Sequence, residues 1–412
     1  MSDIQPFKGC RPRADLASKI ASPPYDVLSS KEAREMAKDN PLSFLRVVKA
    51  EIDLDENIDV HSETVYEKSR ENFQNLLSNG SMLQDEKPCF YVYKQKMGNH
   101  TQVGLVAGAS VDEYQNDLIK KHEHTRPEKE NDRARHVEIL GANAGPVFLT
   151  YKSDPTVDET IMSVTKTQEP VYDFTAPDGV VHTLWVVSSD EAVNQIQNAF
   201  KNVPALYVAD GHHRSAAASR VREIKKSQNP AHTGKEQYNY FLSVIFPDNQ
   251  LQILDYNRAV KDLNGLSEID FKERIAGKFE IEETTDPKPK QKHEFAMYLG
   301  GKWYTLKAKE GSFDNTDPVH SLDASILQNN LLAPVLGIEN PRTDSRIDFI
   351  GGIRGLKELE KRCAEDSIVA FALFPTSITD LISVADAGMV MPPKSTWFEP
   401  KLRSGMVVKL LD

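Results

Sequence analysis

The sequence has 412 residues, enough for two or three domains at roughly 150 residues each. Hydrophobic residues make up 39% and charged residues 27% of the chain, which is ordinary for a globular protein with a large buried core. The formal net charge is −11. This charge argues against binding to nucleic acid, because the sequence has no basic block that would override it.

Cysteine usage and hydropathy indicate a reducing compartment and no membrane partner. The three cysteines, Cys10, Cys89 and Cys363, are far apart and form no C-x-x-C pair. This spacing argues against a disulfide framework or a thiolate zinc site. The first residues show no basic stretch followed by an apolar run, and no window approaches about 18 uninterrupted apolar residues. We therefore expect a cytoplasmic protein.

Apolar periodicity, prolines and glycines predict the elements. Ser29 and Glu32 are spaced as a capping box, which places a helix start near Lys31. In chain order the sequence predicts a strand at 19–21, helices from about 31 and at 64–78, a hairpin over 89–93 and 103–109, a charged segment at 120–136, strands at 147–150, 183–187 and 205–209, a helix at 215–226, a strand at 240–246, a linker or long turn at 284–292, strands near 295–308, helices near 321–332 and 355–365, a strand at 368–374 and a last apolar run at 406–411.

The segment Asp210-Gly211-His212-His213-Arg214, between a predicted strand and helix, concentrates groups capable of phosphate chemistry. Gly211 allows a sharp turn, and the helix start after it favours anions through its N–H groups and dipole. Arg214 offers a fork suited to phosphate oxygens. Asp210 can hold Mg²⁺ or accept a proton, and His212 or His213 can transfer one. The alternative is an ordinary polar helix start capped by Asp210.

Three further segments carry groups suited to the same chemistry. His122 and His124 share a face if their segment is extended, which suits metal ligands, and a solvated loop is the alternative. Lys394-Ser395-Thr396 offers a cation and two hydroxyls, or is simply a basic turn. The prolines of Ser22-Pro23-Pro24-Tyr25-Asp26 hold the Asp26 carboxylate rigidly, or form a turn at a sheet edge.

The common nucleotide and hydrolase motifs are missing. The sequence contains no G-x-x-x-x-G-K-[ST], no G-x-S-x-G and no H-E-x-x-H. The glycine-rich run at 351–355 alone is weak evidence for a phosphate loop. The sequence therefore disfavours the usual nucleotide-binding folds.

Several segments, in this order, resemble a prokaryotic family known as domain-of-unknown-function 1015. The match spans nearly the whole chain. The matching pieces are Pro6-Phe7-Lys8-Gly9, Ser22-Pro23-Pro24-Tyr25-Asp26-Val27, His122-Glu123-His124-Thr125, Asp132-Arg133, Ala209-Asp210-Gly211-His212-His213-Arg214 and Met391-Pro392-Pro393-Lys394-Ser395-Thr396-Trp397-Phe398.

The Asp210–Arg214 segment is also similar, more distantly, to the ligand box of the ParB/sulfiredoxin-like fold. It fits best the Asp-Gly-x-His-Arg pattern of the free-serine kinases of that fold. This resemblance implies an α/β or α+β fold, with a mixed sheet and a ParB/sulfiredoxin-like core at 1–283. We expect a large insertion at about 51–200, and a C-terminal α+β region at 284–412 that contributes to the same cleft.

The resemblance also implies roles for the candidate residues. The kinases use an N-terminal carboxylate as base, which makes Asp26 the candidate here, with His213 as the alternative. A nucleotide, ATP or ADP, and Mg²⁺ held by Asp210 are implied as cofactors. The expected catalytic residues are Asp26, Asp210, His212 and His213. The expected phosphate ligands are Gly211, Arg214, Lys394, Ser395 and Thr396, and the expected substrate-binding residues are Ser22, Tyr25, His122, Glu123 and His124.

Together these features predict an enzyme that transfers a phosphoryl group between a nucleotide and a small hydroxylated metabolite such as free L-serine, or a phosphohydrolase. Phosphoryl transfer needs mostly positioning and charge neutralisation, which the Asp210–Arg214 segment can supply. Two alternatives stay open: a non-catalytic regulator that binds a nucleotide or metabolite, and a ParB-like nucleic-acid-binding protein.

Overall fold

The computed structural model describes residues 2–412 as two compact units. The first unit runs to Leu251 and resumes at Pro400–Asp412, and the second unit is Gln252–Glu399. The division therefore does not fall at the predicted position between residues 283 and 284. The polar stretch 284–292 is a loop inside one sheet, because the strands on either side of it both pair with Lys302–Ala308.

Strands occur throughout the chain. In chain order they are β1 Ile4–Gln5, β2 Gly9–Pro12, β3 Met82–Gln84, β4 Phe90–Met97, β5 His100–Ser110, β6 Ile119–Lys120, β7 Ala142–Asn143, β8 Val147–Tyr151, β9 Tyr172–Thr175, β10 Val181–Val187, β11 Leu206–Asp210, β12 Tyr240–Pro247, β13 Gln252–Leu254, β14 Tyr256–Val260, β15 Phe279–Glu283, β16 Glu294–Leu299, β17 Lys302–Ala308, β18 Ile347–Gly351, β19 Val369–Leu373, β20 Trp397–Glu399 and β21 Val408–Leu410.

Helices alternate with these strands. The α-helices are α1 Ala17–Ile20, α2 Ser30–Ala37, α3 Leu45–Val48, α4 Glu63–Ser78, α5 Val111–Gln115, α6 Pro127–Leu140, α7 Pro155–Thr167, α8 Asp190–Phe200, α9 His212–Gln228, α10 Glu268–Ile275, α11 Asp323–Leu327, α12 Leu356–Glu365 and α13 Ile378–Asp386. Helix α11 continues as a π-helix, Gln328–Leu332. Across residues 2–412, no helix combines the length and the hydropathy that a membrane span requires.

The first unit is built on a nine-stranded mixed sheet with the order β6-β11-β8-β12-β5-β4-β10-β9, and β1 pairs with β5. The pairs β11–β6 and β12–β8 are parallel and the other pairs are antiparallel. The central strands β5 and β12 are buried at almost every position, as expected when both faces of a sheet are covered. The predicted fold class, with its mixed sheet, is confirmed. The predicted insertion at 51–200 supplies several strands of this same sheet.

A second sheet of the first unit contains the late strand β21. Its order is β3-β2-β21-β7, so that β21 pairs with β2 near the N-terminus and with β7. Residues 400–412, which were predicted to belong to the C-terminal region, therefore lie in the first unit. This return places Lys401 and Ser404 in the unit that holds the Asp210–Arg214 segment.

The second unit contains an antiparallel six-stranded sheet with the order β15-β17-β16-β19-β14-β18. Its core packs strand residues such as Phe295 and Phe371 against Leu327 and Leu331, which follow one another through α11 and the π-helix. The pair β13–β20 also belongs to this unit.

Local signals predicted several elements accurately. Ser29 accepts from the Glu32 N–H and Glu32 accepts from the Ser29 N–H, so the capping box at the start of α2 is confirmed. The strand predicted at 19–21 is wrong, because these residues lie in and just after α1. The reason is a short-range backbone bond: the Ala21 N–H donates to the Ala17 carbonyl.

Candidate functional site

The junction between β11 and α9 carries the strongest sequence signal. Asp210 ends β11, where the pairing with β8 is irregular between Val208 and Asp210. Gly211 follows with φ 99° and ψ 29°, and its carbonyl accepts from the N–H groups of Arg214 and Ser215 at 2.8 and 3.0 Å. A Cβ at Gly211 would lie 3.2 Å from Arg214 Nε. The turn therefore needs glycine both for its backbone conformation and for the return of Arg214 over it.

Arg214 is a nearly buried cation, with 11% of its side chain exposed. Its Nη1 donates to the Pro146 carbonyl, and its Nη2 lies 3.6 Å from Asp26 Oδ2 and 4.0 Å from Asp210 Oδ1. Its Nε is buried without a hydrogen-bond partner among the described residues. Burial alone would lower the pKa of Arg214. The two carboxylates raise it by more, so the pKa lies above its ordinary value and the guanidinium stays charged.

Asp210 lies between two cations. Lys401 Nζ donates to its Oδ2 at 3.2 Å, on the side away from the Arg214 contact at Oδ1. Burial raises the pKa of Asp210, but Lys401 and Arg214 together hold it below its ordinary value. Lys401, Asp210, Arg214 and Asp26 thus form a chain of alternating charge.

His212 is a buried, neutral imidazole. Its ring meets the ring of His122 edge to face, with centroids 4.4 Å apart, and Glu123 Oε2 lies 3.9 Å from its Nδ1. Burial lowers the pKa of His212 to about 4. Burial, together with His212, also lowers the pKa of His122 well below its ordinary value. Neither imidazole therefore carries charge at pH 7 in this arrangement.

Both imidazoles of the motif accept hydrogen bonds from the preceding loop. The His122 N–H donates to His212 Nε2 at 3.5 Å, and the Arg126 N–H donates to His213 Nε2 at 3.1 Å. Arg126 is the residue before α6, whose first residue is Pro127. The pair His212-His213 therefore fixes the backbone of segment 122–126 and the start of α6.

The Ser22–Asp26 segment reaches the site through Asp26 and Tyr25. The Arg133 guanidinium stacks over the Tyr25 ring at 4.2 Å, and burial together with Asp26 raises the pKa of Tyr25 to about 12. Ser22 is tied to the returning chain: its N–H and carbonyl pair with Ser404 at 3.0 and 2.9 Å. Its hydroxyl donates to the Pro23 carbonyl, which indicates a structural role.

A cavity of about 40 Å³ lies beside Arg214. Its polar lining consists of two arginines, an imidazole, an amide and two hydroxyls, supplied by Arg133, Arg214, His136, Asn143, Tyr25 and Ser404, and Gly145 lies beside them. A Cβ at Gly145 would lie 3.4 Å from Ser404 Oγ and 3.8 Å from Arg214 Cδ, so glycine keeps this wall thin. A cavity of this size with several polar groups is suited to ordered water or a small polar group.

Not all predicted site residues come together. His122 is buried and His124 is exposed in an irregular loop, so the expected shared face of these two residues is wrong. Lys394, Ser395 and Thr396 lie in the second unit, where Ser395 Oγ donates to the Pro392 carbonyl and Lys394 Nζ lies over the Tyr256 ring. Their assignment as phosphate ligands stays a prediction. Over residues 2–412 no group of three metal-ligating side chains is found.

Lys401 and Arg133 are neighbours of the site that were not among the predicted site residues. Lys401 belongs to a basic C-terminal turn with Arg403, but its contact with Asp210 depends on the return of the chain to the first unit. Arg133 lies in the charged segment 120–136, much of which is helix α6. The available signals for that helix were Pro127 at its first position and Gly141 directly after its last residue.

The fold and the site define a mixed α/β protein with a buried arginine and two carboxylates at a strand-to-helix junction. The chain belongs to the family described as Protein of unknown function (DUF1015), which matches residues 4–325. No curated protein matches the chain.

The solved structures that the chain matches share little sequence with it. A free serine kinase in complex with AMP is 14% identical, with 72% of this chain and 86% of that chain covered and a TM-score of 0.36. SbnI with a C-terminal truncation, from Staphylococcus aureus, is 12% identical, with coverages of 74% and 87% and a TM-score of 0.38. A conserved hypothetical protein from Pyrococcus furiosus is 16% identical, with coverages of 74% and 95% and a TM-score of 0.35.

Proposed function

We propose that the first unit binds the phosphates of ATP or ADP and transfers a phosphoryl group to or from a small hydroxylated metabolite, with free L-serine as the first candidate. The observation that carries the proposal is the nearly buried Arg214, charged and held between two carboxylates at the start of α9. The nucleotide and serine come from the similarity of Asp210–Arg214 to the Asp-Gly-x-His-Arg pattern.

Phosphate binding falls to Arg214 and the first turn of α9. The first N–H groups of a helix have no partner inside the helix, and its dipole favours an anion there. The unpartnered Nε of Arg214 is a further donor in the same place. Gly211 allows the close approach of a phosphate. Lys394, Ser395 and Thr396 stay proposed phosphate ligands on the basis of the sequence.

Asp210 is the proposed Mg²⁺ ligand. Mg²⁺ is commonly held by one or two carboxylates, with substrate phosphates and water completing its shell, so a cluster of three protein ligands is not required. Bound there, the ion would neutralise charge on the phosphate oxygens. Asp210 has the right donor atoms, and Lys401 already neutralises it from the other side.

Asp26 is the better candidate for the base. Its carboxylate is 39% exposed, so an acceptor hydroxyl can reach it, and Arg214 Nη2 positions it at 3.6 Å. His213 is less suited, because its Nε2 already accepts from the Arg126 N–H. In this arrangement His212 and His213 organise the loop, Tyr25 and Glu123 flank the site, and Asp26 accepts the hydroxyl proton.

The test is turnover of nucleotide with L-serine and Mg²⁺, followed by ³¹P NMR to identify the phosphorylated product. Arg214→Ala should lose at least about tenfold in turnover, because a charge-assisted contact contributes roughly 1.5–3 kcal/mol. Arg220→Ala is the matched control, since Arg220 lies on the same helix, is exposed and contacts Asn131. Wild-type turnover by Arg214→Ala would contradict the proposal.

A non-catalytic regulator is the second candidate. It is favoured by the hydrogen bonds that engage both imidazoles of the motif in holding backbone. Such a protein would bind nucleotide with the same residues and form no product over hours. ParB-like binding to DNA would instead show as salt-dependent retention, against which the net charge of −11 argues.

A further inference from the structure

We infer that Lys401 is a phosphate-binding residue of this site, supplied by the chain as it returns from the second unit. The inference rests on the proposed function and adds to it a cation that binds the nucleotide phosphates. Lys401 Nζ lies 3.2 Å from Asp210 Oδ2, and Asp210 is the residue before the Gly211 turn. The ammonium therefore contacts the residue that comes just before the helix start where the phosphates are proposed to bind.

The backbone around Lys401 is held by buried side chains. The Lys401 carbonyl accepts from Gln95 Nε2 at 2.9 Å, and Gln95 Oε1 accepts from Gln102 Nε2 at 3.0 Å. Both glutamines are completely buried, on the hairpin strands β4 and β5. Buried amides usually have their hydrogen bonds satisfied. This relay therefore fixes the position from which the lysine side chain reaches Asp210.

The residues after Lys401 are fixed as well. Arg403 is 6% exposed, contacts Asp178 and has its Nε 3.2 Å from His182 Nε2. Ser404 pairs with Ser22 through both backbone groups. The segment is thus held at residues 401, 403 and 404 by three separate parts of the first unit. The ion pair with Asp210 is not needed to hold it, because these three contacts do not involve the Lys401 ammonium.

The charges explain what Lys401 does when a nucleotide binds. Lys401, Asp210, Arg214 and Asp26 sum to zero in the structure. Phosphates add negative charge beside Asp210, and without Lys401 that carboxylate would repel them. If Asp210 held Mg²⁺, the Lys401 ammonium would contact phosphate oxygens in place of that carboxylate. In both cases its charge acts on the phosphates and not on the base or the ribose.

A purely structural role for Lys401 leads to a different expectation for nucleotide affinity. Lys401→Gln keeps an N–H donor on a side chain one atom shorter and removes the charge. If the lysine is a tie for the C-terminal segment, this variant should bind nucleotide as the wild type does. If it binds phosphate, the variant should lose affinity for ADP, and Lys401→Arg should restore most of it.

The experiment is calorimetric titration of the full chain with ADP and with adenosine, in the presence of Mg²⁺. We expect Lys401→Gln to weaken ADP binding about ten- to a hundredfold, the range typical for a lost charge-assisted contact, and to leave adenosine binding unchanged. Lys225→Gln is the matched control, since Lys225 Nζ lies 3.3 Å from Asp412 Oδ2 in the same unit. That variant should bind both ligands as the wild type does.

Three outcomes would overturn the inference, and they are distinguishable. If the wild type binds ADP and Lys401→Gln binds it equally well, Lys401 is only a structural residue and the proposed function stands. If the wild type binds no ADP, the nucleotide proposal fails and the role of Lys401 fails with it. Equal losses for ADP and adenosine would indicate a general distortion and would also refute the inference. Thermal melting of each variant shows that the fold is retained.

Discussion

Replacing Gly211 with alanine should damage both stability and nucleotide binding. The residue has φ 99°, and the left-handed region costs an L-residue about 1–2 kcal/mol. A Cβ there would also lie 3.2 Å from Nε and 3.3 Å from Cζ of Arg214. Arg214 must then shift by a few tenths of an ångström, which weakens its contacts with Pro146 and the carboxylates. We assign about 1 kcal/mol to this second effect, since a charged hydrogen bond contributes roughly 1.5–3 kcal/mol when lost entirely.

Gly141 provides the matched control. It has φ 67°, and a Cβ there would meet no atom within 4 Å. Gly141→Ala should therefore lose about 1–2 kcal/mol in the free energy of unfolding, and Gly211→Ala about 2–3 kcal/mol. Only Gly211→Ala should also weaken ADP binding, because only it displaces Arg214. Urea unfolding and calorimetry measure the two effects, and equal losses with intact ADP binding would refute the reasoning.

Two predictions concern the imidazoles of the motif. Burial lowers the pKa of His212 to about 4, so the unfolded chain, with an ordinary His pKa near 6.5, binds the proton first as the pH falls. Stability from this group is therefore present above pH 6.5 and lost as the pH falls through 4, by up to about 3 kcal/mol. Urea unfolding of His212→Gln should show a flatter pH profile than the wild type, and an unchanged profile would exclude this origin. His213→Ala should free the Arg126 N–H and speed cleavage after Glu123 by a glutamate-specific protease, as followed by mass spectrometry, whereas unchanged cleavage would show that the loop is held by other contacts.

The sequence predicted local structure better than the path of the chain. The capping box of Ser29 and Glu32 and the hairpin predicted over 89–93 and 103–109 depend only on neighbouring residues, and both are present. The helix α6 was missed because its residues are mostly charged, so that apolar periodicity is weak. The domain boundary was displaced because a polar stretch marks a loop equally well inside one sheet or between two units.

In the candidate site too, contacts between residues close in sequence were predicted better than contacts between distant residues. Asp210, Gly211 and Arg214 are close in sequence, so a strand followed by a helix was enough to group them. The contact of Arg214 with Asp26 joins residues far apart in the chain, and was anticipated only through resemblance to other proteins. The second unit separates Lys401 from Asp210 in the sequence, so no local sequence pattern predicts the contact between them.

The position of the second unit within the chain has a consequence for folding during translation. Ribosomes make the chain from its N-terminus, and domains generally fold as they emerge. Gln252–Glu399 is complete before β21 is synthesised, so this later-made unit can finish folding before the earlier one. Until then the edge of β2 that pairs with β21 is open, and Asp210 has no lysine beside it. The nascent protein therefore holds two carboxylates and a single cation at this junction until Lys401 leaves the ribosome.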